Sequence, residues 1–153
     1  MNTVLIDVQG IPAPDWMGEL ESFVDEILRN MTRDEWEVSV ILCDDDVIAA
    51  FNREYRSKEG PTDVLSFPQV ENANEIPLKG RFVAGDIVVS LDSVRANAKY
   101  FGASAEEELK RVIIHSLLHL SGMDHSTNES DEPMLILQEQ ILSNYKGTAR
   151  FHL

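Results

Sequence analysis

The stretch His115-Ser-Leu-Leu-His119-Leu-Ser-Gly-Met-Asp124-His125 gathers three of the chain's four histidines within eleven residues. An α-helix advances about 100° per residue and rises about 6 Å over four, so His115 and His119 share one helical face, within reach of a single ion. Gly122 is able to take positive φ, which ends the helix and turns the chain back so that His125 approaches the same point from outside. Three imidazoles with an open fourth position describe a catalytic zinc site, because a structural one is more often closed by cysteines. His152, the fourth histidine, reads as a tail residue and not as a ligand.

The residues just upstream announce where this helix begins. Ser104-Ala-Glu-Glu107 is a capping box: Ser104 accepts from the third amide of the helix and Glu107 reaches back to the amide of Ser104. Leu109, Val112, Ile113, Leu117 and Leu120 then recur at helical spacing. The helix therefore packs centrally, and its two histidines flank the apolar stripe at the edge of the core.

Working outward, helical periodicity is expected over residues 15–31, 47–55 and 90–101, the last closed by Gly102, and again over 128–145. The first of these carries Leu20, Phe23, Val24, Ile27 and Leu28 on one face. Strands are expected over 3–8, 36–43, 64–67 and 83–91, with Pro68 stopping the third and Gly85-Asp86 interrupting the fourth. Residues 69–80 are polar, carry Pro77 and Gly80, and read as a surface loop. The alternation predicts an α+β, α/β-like domain over residues 1–153: a small mixed four-stranded sheet packed by about five helices, with the metal site at the end of a central helix.

At 153 residues and 43% hydrophobic, one soluble domain can bury a core without covalent staples. No apolar run is long enough to span a bilayer, and the first residues lack the basic and apolar regions of a secretory signal, so the expectation is a cytoplasmic protein with no membrane partner. Cys43 is the sole cysteine, which excludes an intramolecular disulfide and a thiolate-closed zinc site; it ends an apolar run and is expected to be buried and inert. The net charge of −14 argues against tight nonspecific nucleic-acid binding, which draws on counterion release by Lys and Arg. It leaves room for a local cationic cleft, since each field is screened within about 10 Å and a divalent ion adds its own charge.

The histidine pattern together with Asn52-Arg-Glu-Tyr-Arg56, Pro61-Thr-Asp-Val-Leu-Ser-Phe-Pro68 and Gly85-Asp-Ile87 closely resembles the YbeY family of bacterial rRNA maturation factors, which are metal-dependent endoribonucleases. The four motifs occur in the right order, and the resemblance runs from about residue 36 to the end of the last helix. It departs at Ser116, where the family carries glycine, and at Met123, where an aromatic is common. The resemblance implies a single-strand-specific endoribonuclease acting in 16S rRNA 3′-end maturation and ribosome quality control. It further implies a zinc ion, or another divalent transition metal, on His115, His119 and His125, a functional arginine at Arg56, and a ribosomal protein or assembly GTPase as partner.

Residue chemistry bears on each of these implications. A protease of the His-Glu-x-x-His type carries its general base directly after the first histidine, and here that position is Ser116. Asp124 either orients a metal ligand or accepts a proton, with ligand orientation the commoner task for such a neighbour. Arg56 reads as a surface arginine paired with Glu54 or Glu59, or as a two-pronged phosphate clamp, and the resemblance selects the clamp. Thr62, Asp63 and Ser66 would shape a turn beside the pocket, and Asp86 reads as a bulge residue. The expected reaction is phosphodiester cleavage in RNA, with the nucleophile either water or the RNA's own 2′-hydroxyl. Two other readings stand beside it: a metallohydrolase of a different substrate, and a non-catalytic ribosome-assembly factor whose zinc is structural.

Overall fold

The computed structural model describes residues 1–147 and 150–153. Its elements follow in the order β1 (Thr3–Gln9), α1 (Met17–Asn30), β2 (Trp36–Cys43), α2 (Asp45–Arg56), β3 (Val64–Pro68), β4 (Phe82–Ser90), α3 (Leu91–Phe101), α4 (Ala105–Leu120) and α5 (Pro133–Ser143), with one 3-10 turn at Ala73–Glu75. The four strands form one mixed sheet in the order β1-β2-β4-β3. The first three run parallel and β3 lies antiparallel along β4. This is the small mixed sheet and set of five helices that the alternating periodicities predict.

The two faces of the sheet are covered unequally, and the side-chain period of two explains how. Trp36, Val38, Val40 and Leu42 alternate onto one face of β2 and join α1, α3, α4 and α5 in the main core. The buried face of α1 is Leu20, Phe23, Val24, Ile27 and Leu28, as its spacing predicts. On the opposite face a smaller cluster of Cys43, Ile48, Leu65 and Val88 lies under α2, with Phe51 and Phe67 packed against it. Cys43 is fully buried there; burial pushes its thiol up to about 12, so it stays protonated and unreactive.

Helix α4 runs through the centre and packs on α1, α3, α5, β3 and β4. Leu109, Ile113 and Leu117 are completely buried, each worth about 1.5–3 kcal/mol of transfer free energy. Ser104 caps the helix by accepting from the Glu107 amide at 3.0 Å. The reciprocal half of the expected capping box does not form. Glu107 instead faces the Arg111 guanidinium and Lys146, because a half-buried i,i+4 cation competes for the same carboxylate.

Helix α5 starts five residues later than periodicity suggests. Glu132 Oε1 accepts from the Ser126 hydroxyl and from both the amide and the hydroxyl of Thr127, folding 126–132 on itself, and Pro133 then opens the helix at its first position. Between the two central strands Glu37 pairs with Val83 and Val38 with Gly85, which leaves Ala84 as the extra residue of a β-bulge. Gly85 has φ +143°, and a Cβ there would lie 2.2 Å from the Phe67 carbonyl oxygen. Only glycine lets β3 approach this closely, and β3 carries one wall of the site.

Candidate metal centre

The three histidines arrive from two elements. His115 and His119 lie one turn apart near the C-terminus of α4, with ring centroids 4.6 Å apart. Gly122, at φ +92°, then reverses the chain, and a Cβ on it would sit 2.5 Å from the Cβ of Ala73 in the 3-10 turn. Glycine is needed twice at this position, once for the backbone conformation and once for the close approach of the 69–80 loop. Beyond it the His125 ring stands 5.3 Å from His115 and 5.6 Å from His119. One ligand atom from each of the three lies within 4.8 Å of the others.

Each ring is fixed through its Nδ1. His115 Nδ1 donates to Gln138 Oε1 at 2.7 Å, His119 Nδ1 to the Met123 carbonyl at 3.0 Å, and His125 Nδ1 to the Thr127 carbonyl at 2.7 Å. A carbonyl oxygen only accepts, so the proton sits on Nδ1 and the lone pair on Nε2. The Nε2 atoms of His115 and His119 face one another at 3.1 Å. Two lone pairs at that distance repel unless a cation stands between them, and two ligands about 2.0–2.1 Å from one tetrahedral zinc are about 3.3 Å apart. The donor set therefore fits a zinc-like ion. Burial holds both His115 and His119 below the usual histidine range, and for His119 the neighbouring His115 adds to the effect. Both rings are neutral near pH 7, the form that ligates.

The Gln138 amide is oriented in turn. Its Nε2 donates to Glu139 Oε2 at 3.0 Å, and Glu139 accepts from Arg111 Nε at 3.0 Å. With the amide nitrogen committed to a carboxylate, the amide oxygen is the end that must face His115. Periodicity marks Met134, Leu135, Leu137, Ile141 and Leu142 as inward; Met134, Ile141 and Leu142 are buried, Leu135 and Leu137 are only half-buried, and Gln138, which it passes over, is only 7% exposed. The available signal was a glutamine on an otherwise apolar helix face.

A cavity of about 580 Å³ opens beside the histidines, lined by Arg56, Ser66, Phe67, Glu71, His115, His119, Met123 and Asp124 among others. Arg56 ends α2; its Nη2 donates to the Ser66 carbonyl at 2.6 Å and its guanidinium lies 4.8 Å above the Phe67 ring. Among the described residues no ion pair joins it to Glu54 or Glu59, and it lines the cavity together with the carboxylates of Glu71 and Asp124. Asp124 is 86% exposed, its carboxylate 4.0 Å from His119 Nδ1, and it accepts from the His125 amide at 2.8 Å. Its direct contact is thus with the backbone that presents His125.

The remaining candidates fall outside this cavity. Asp63 accepts from Asn97 at 3.2 Å and from Thr62 at 3.4 Å, tying the start of β3 to α3. Asp86 accepts from the Ser39 hydroxyl across the strand pair. Ser116 is fully buried, with no hydrogen-bond partner for its hydroxyl among the described residues. His152 lies exposed in the tail and takes no part in the cluster.

Comparison with known proteins agrees with this architecture. The sequence pattern of the family described as Endoribonuclease YbeY matches residues 7–146. The Endoribonuclease YbeY of Treponema denticola is 46% identical over 128 residues, covering 84% of this chain and 83% of its own length. That of Treponema pallidum is 41% identical over 145 residues, 95% of this chain and 91% of its own. The solution structure of TM1509 from Thermotoga maritima superposes with a TM-score of 0.64 at 29% identity, over 92% of this chain and 86% of that one. With a four-stranded mixed sheet, a three-histidine cluster at the end of its central helix and these relatives, the chain belongs to the Endoribonuclease YbeY family.

Proposed function

We propose that the chain, acting as one domain over residues 1–153, is a metal-dependent endoribonuclease that cuts single-stranded RNA. His115, His119 and His125 hold one zinc, or another divalent transition metal, and Arg56 holds the phosphate at or beside the scissile bond. The observation that carries this reading is the convergence of unprotonated Nε2 atoms beside a guanidinium in one cavity. When bound, the metal supplies Lewis acidity to a phosphoryl oxygen and lowers the pKa of a water to about 7. Arg56 contributes two parallel hydrogen bonds and a positive charge, which position the phosphodiester and stabilise its developing charge. Asp124 steadies the turn that presents His125, and Gln138 fixes the tautomer and ring plane of His115.

Two observations weigh against the competing readings. Position 116 holds a buried serine in place of a protease's catalytic glutamate. Among the described residues the ligand cluster contains three histidines and no fourth group, leaving a coordination position for substrate or water.

Family membership and the −14 charge together favour ribosomal RNA as the substrate and the ribosomal particle as the scaffold. An acidic chain gains little from generic phosphate contacts, so selectivity has to come from the pocket and from partners. In this reading the protein acts in the cytoplasm on the 3′ end of 16S rRNA and in ribosome quality control, beside a ribosomal protein or an assembly GTPase. Among the described residues no helix is long and apolar enough to cross a membrane. The test is an end-mapped digest of defined RNAs and peptides by zinc-loaded protein, with His119→Ala purified in parallel. Internal cuts in single-stranded RNA that vanish in the variant support the reading; cleavage of peptides alone, or RNA cuts equal in both preparations, overturns it.

A further inference from the structure

Beside the cavity, α2 and β3 build an aromatic surface for which metal chemistry has no use. Phe51 and Tyr55 are one turn apart on α2 and stack with ring centroids 5.9 Å apart and planes at 24°. Tyr55 meets Phe67 edge-on at 5.5 Å, and Phe51 lies 6.5 Å from Phe67. Phe51 and Phe67 are anchored on the small core under α2, so the group is held rigidly from below. Tyr55 is 54% exposed, and among the described residues no hydrogen bond engages its hydroxyl. Phe67 is at once part of this group, part of the cavity wall and the seat of the Arg56 guanidinium.

We infer that Tyr55, backed by Phe51 and Phe67, is a stacking platform for one unpaired nucleobase of the RNA whose neighbouring phosphate Arg56 holds. The inference rests on the reading of the cavity as an RNA-cutting site and adds to it a base-binding subsite. An aromatic face offers every base the same attraction, which suits an enzyme that reads strandedness before sequence. In an A-form duplex both faces of an internal base are already covered by its neighbours, so only a splayed single strand can use the platform. The Tyr55 ring and the Arg56 guanidinium both rest against Phe67, which sets a base site and a phosphate site next to each other, as they are in one nucleotide. In a protein this acidic, stacking also supplies affinity that does not depend on positive charge.

The test uses the zinc-loaded full chain, a short single-stranded RNA, and the same RNA with one abasic residue beside the mapped cut. Tyr55→Ala is expected to raise KM for the intact RNA roughly tenfold while changing kcat far less, as loss of one stacked base would. Tyr55→Phe and Tyr55→Trp keep the parental KM, because the ring and not the hydroxyl carries the contact. The abasic RNA raises KM for the parent, and Tyr55→Ala worsens it no further. A KM for Tyr55→Ala equal to the parent's, or a Tyr55→Phe as weak as Tyr55→Ala, overturns the platform while the parent's cleavage leaves the ribonuclease reading standing. A parent that cuts no RNA overturns that reading, and the platform with it.

Discussion

Gln138 on α5 and His115 on α4 are joined by a 2.7 Å hydrogen bond between Oε1 and Nδ1, and the Gln138 amide is itself locked through Glu139 to Arg111. A ligand whose distal nitrogen is held by an oriented acceptor is pre-aimed and more basic at its other nitrogen. Gln138→Ala is therefore expected to weaken zinc binding about 10- to 100-fold with little loss of helix content. Gln138→Glu keeps an acceptor for His115 but loses the donor to Glu139 and sets two carboxylates side by side, so it should restore only part of the affinity. Competition against a chromophoric chelator measures both, and unchanged affinity in Gln138→Ala would show that the α5 contact does not tune the ligand.

Arg56 is expected to be separable from the metal. It shares the cavity with His115 and His119 but is absent from the ligand cluster. Arg56→Ala should keep the zinc and the fold and lose about 2–4 kcal/mol of transition-state stabilisation, read as kcat/KM. Arg56→Lys restores only part of this, since an ammonium makes no two-pronged contact. Equal cleavage by all three proteins would return Arg56 to the surface.

Gly122 and Gly102 both have positive φ, yet they differ in surroundings. An added Cβ meets Ala73 at 2.5 Å in the first and nothing within 4 Å in the second. Gly102→Ala should cost about 1 kcal/mol from backbone conformation alone. Gly122→Ala must also displace the 69–80 loop and the turn carrying His125, so it should cost more than Gly102→Ala and weaken zinc binding as well. Urea denaturation and zinc titration of the two variants check the contrast; equal stability and equal affinity would mean that the loop yields without moving His125.

How much of this was legible before the structure depends on where the signal is local. Helix α4, its serine cap and its histidines could be read from spacing, because periodicity, capping and ligand geometry are all set within one or two turns. The start of α5 could not, since Glu132 is claimed by the hydroxyl and amide of Thr127 and the hydroxyl of Ser126, and contacts of that kind leave no periodic trace. The role of Gln138 was hidden for a similar reason: its partner is 23 positions away. Arg56 required the fold to bring the end of α2 against β3, where its guanidinium meets Ser66 and Phe67, and the short motif around it gave only its residue type.

The pH dependence of the metal-free protein is expected to follow in part from the two half-buried rings. Burial lowers the native pKa of His115 and His119 below the ordinary value near 6.5, so the unfolded chain binds more protons than the native one in that range. The stabilising contribution is complete above about pH 6.5 and is lost as pH falls through 6.5 toward the lowered native values. Chelator-treated protein should unfold at lower urea at pH 5.5 than at pH 7.5, and His115→Gln should flatten the difference. A pH dependence identical in His115→Gln and the parent would contradict the burial of neutral imidazoles.

In the proposed reading, three imidazoles hold the one ion on which RNA cleavage depends. This is tested most directly by adding zinc back to chelator-treated protein while following cleavage of an end-labelled single-stranded RNA. Activity should be absent without metal, rise linearly and level off at about one equivalent per chain, with no rise at any zinc level in His119→Ala. Cleavage that survives complete metal removal, or that responds to zinc equally in the variant, would contradict the account.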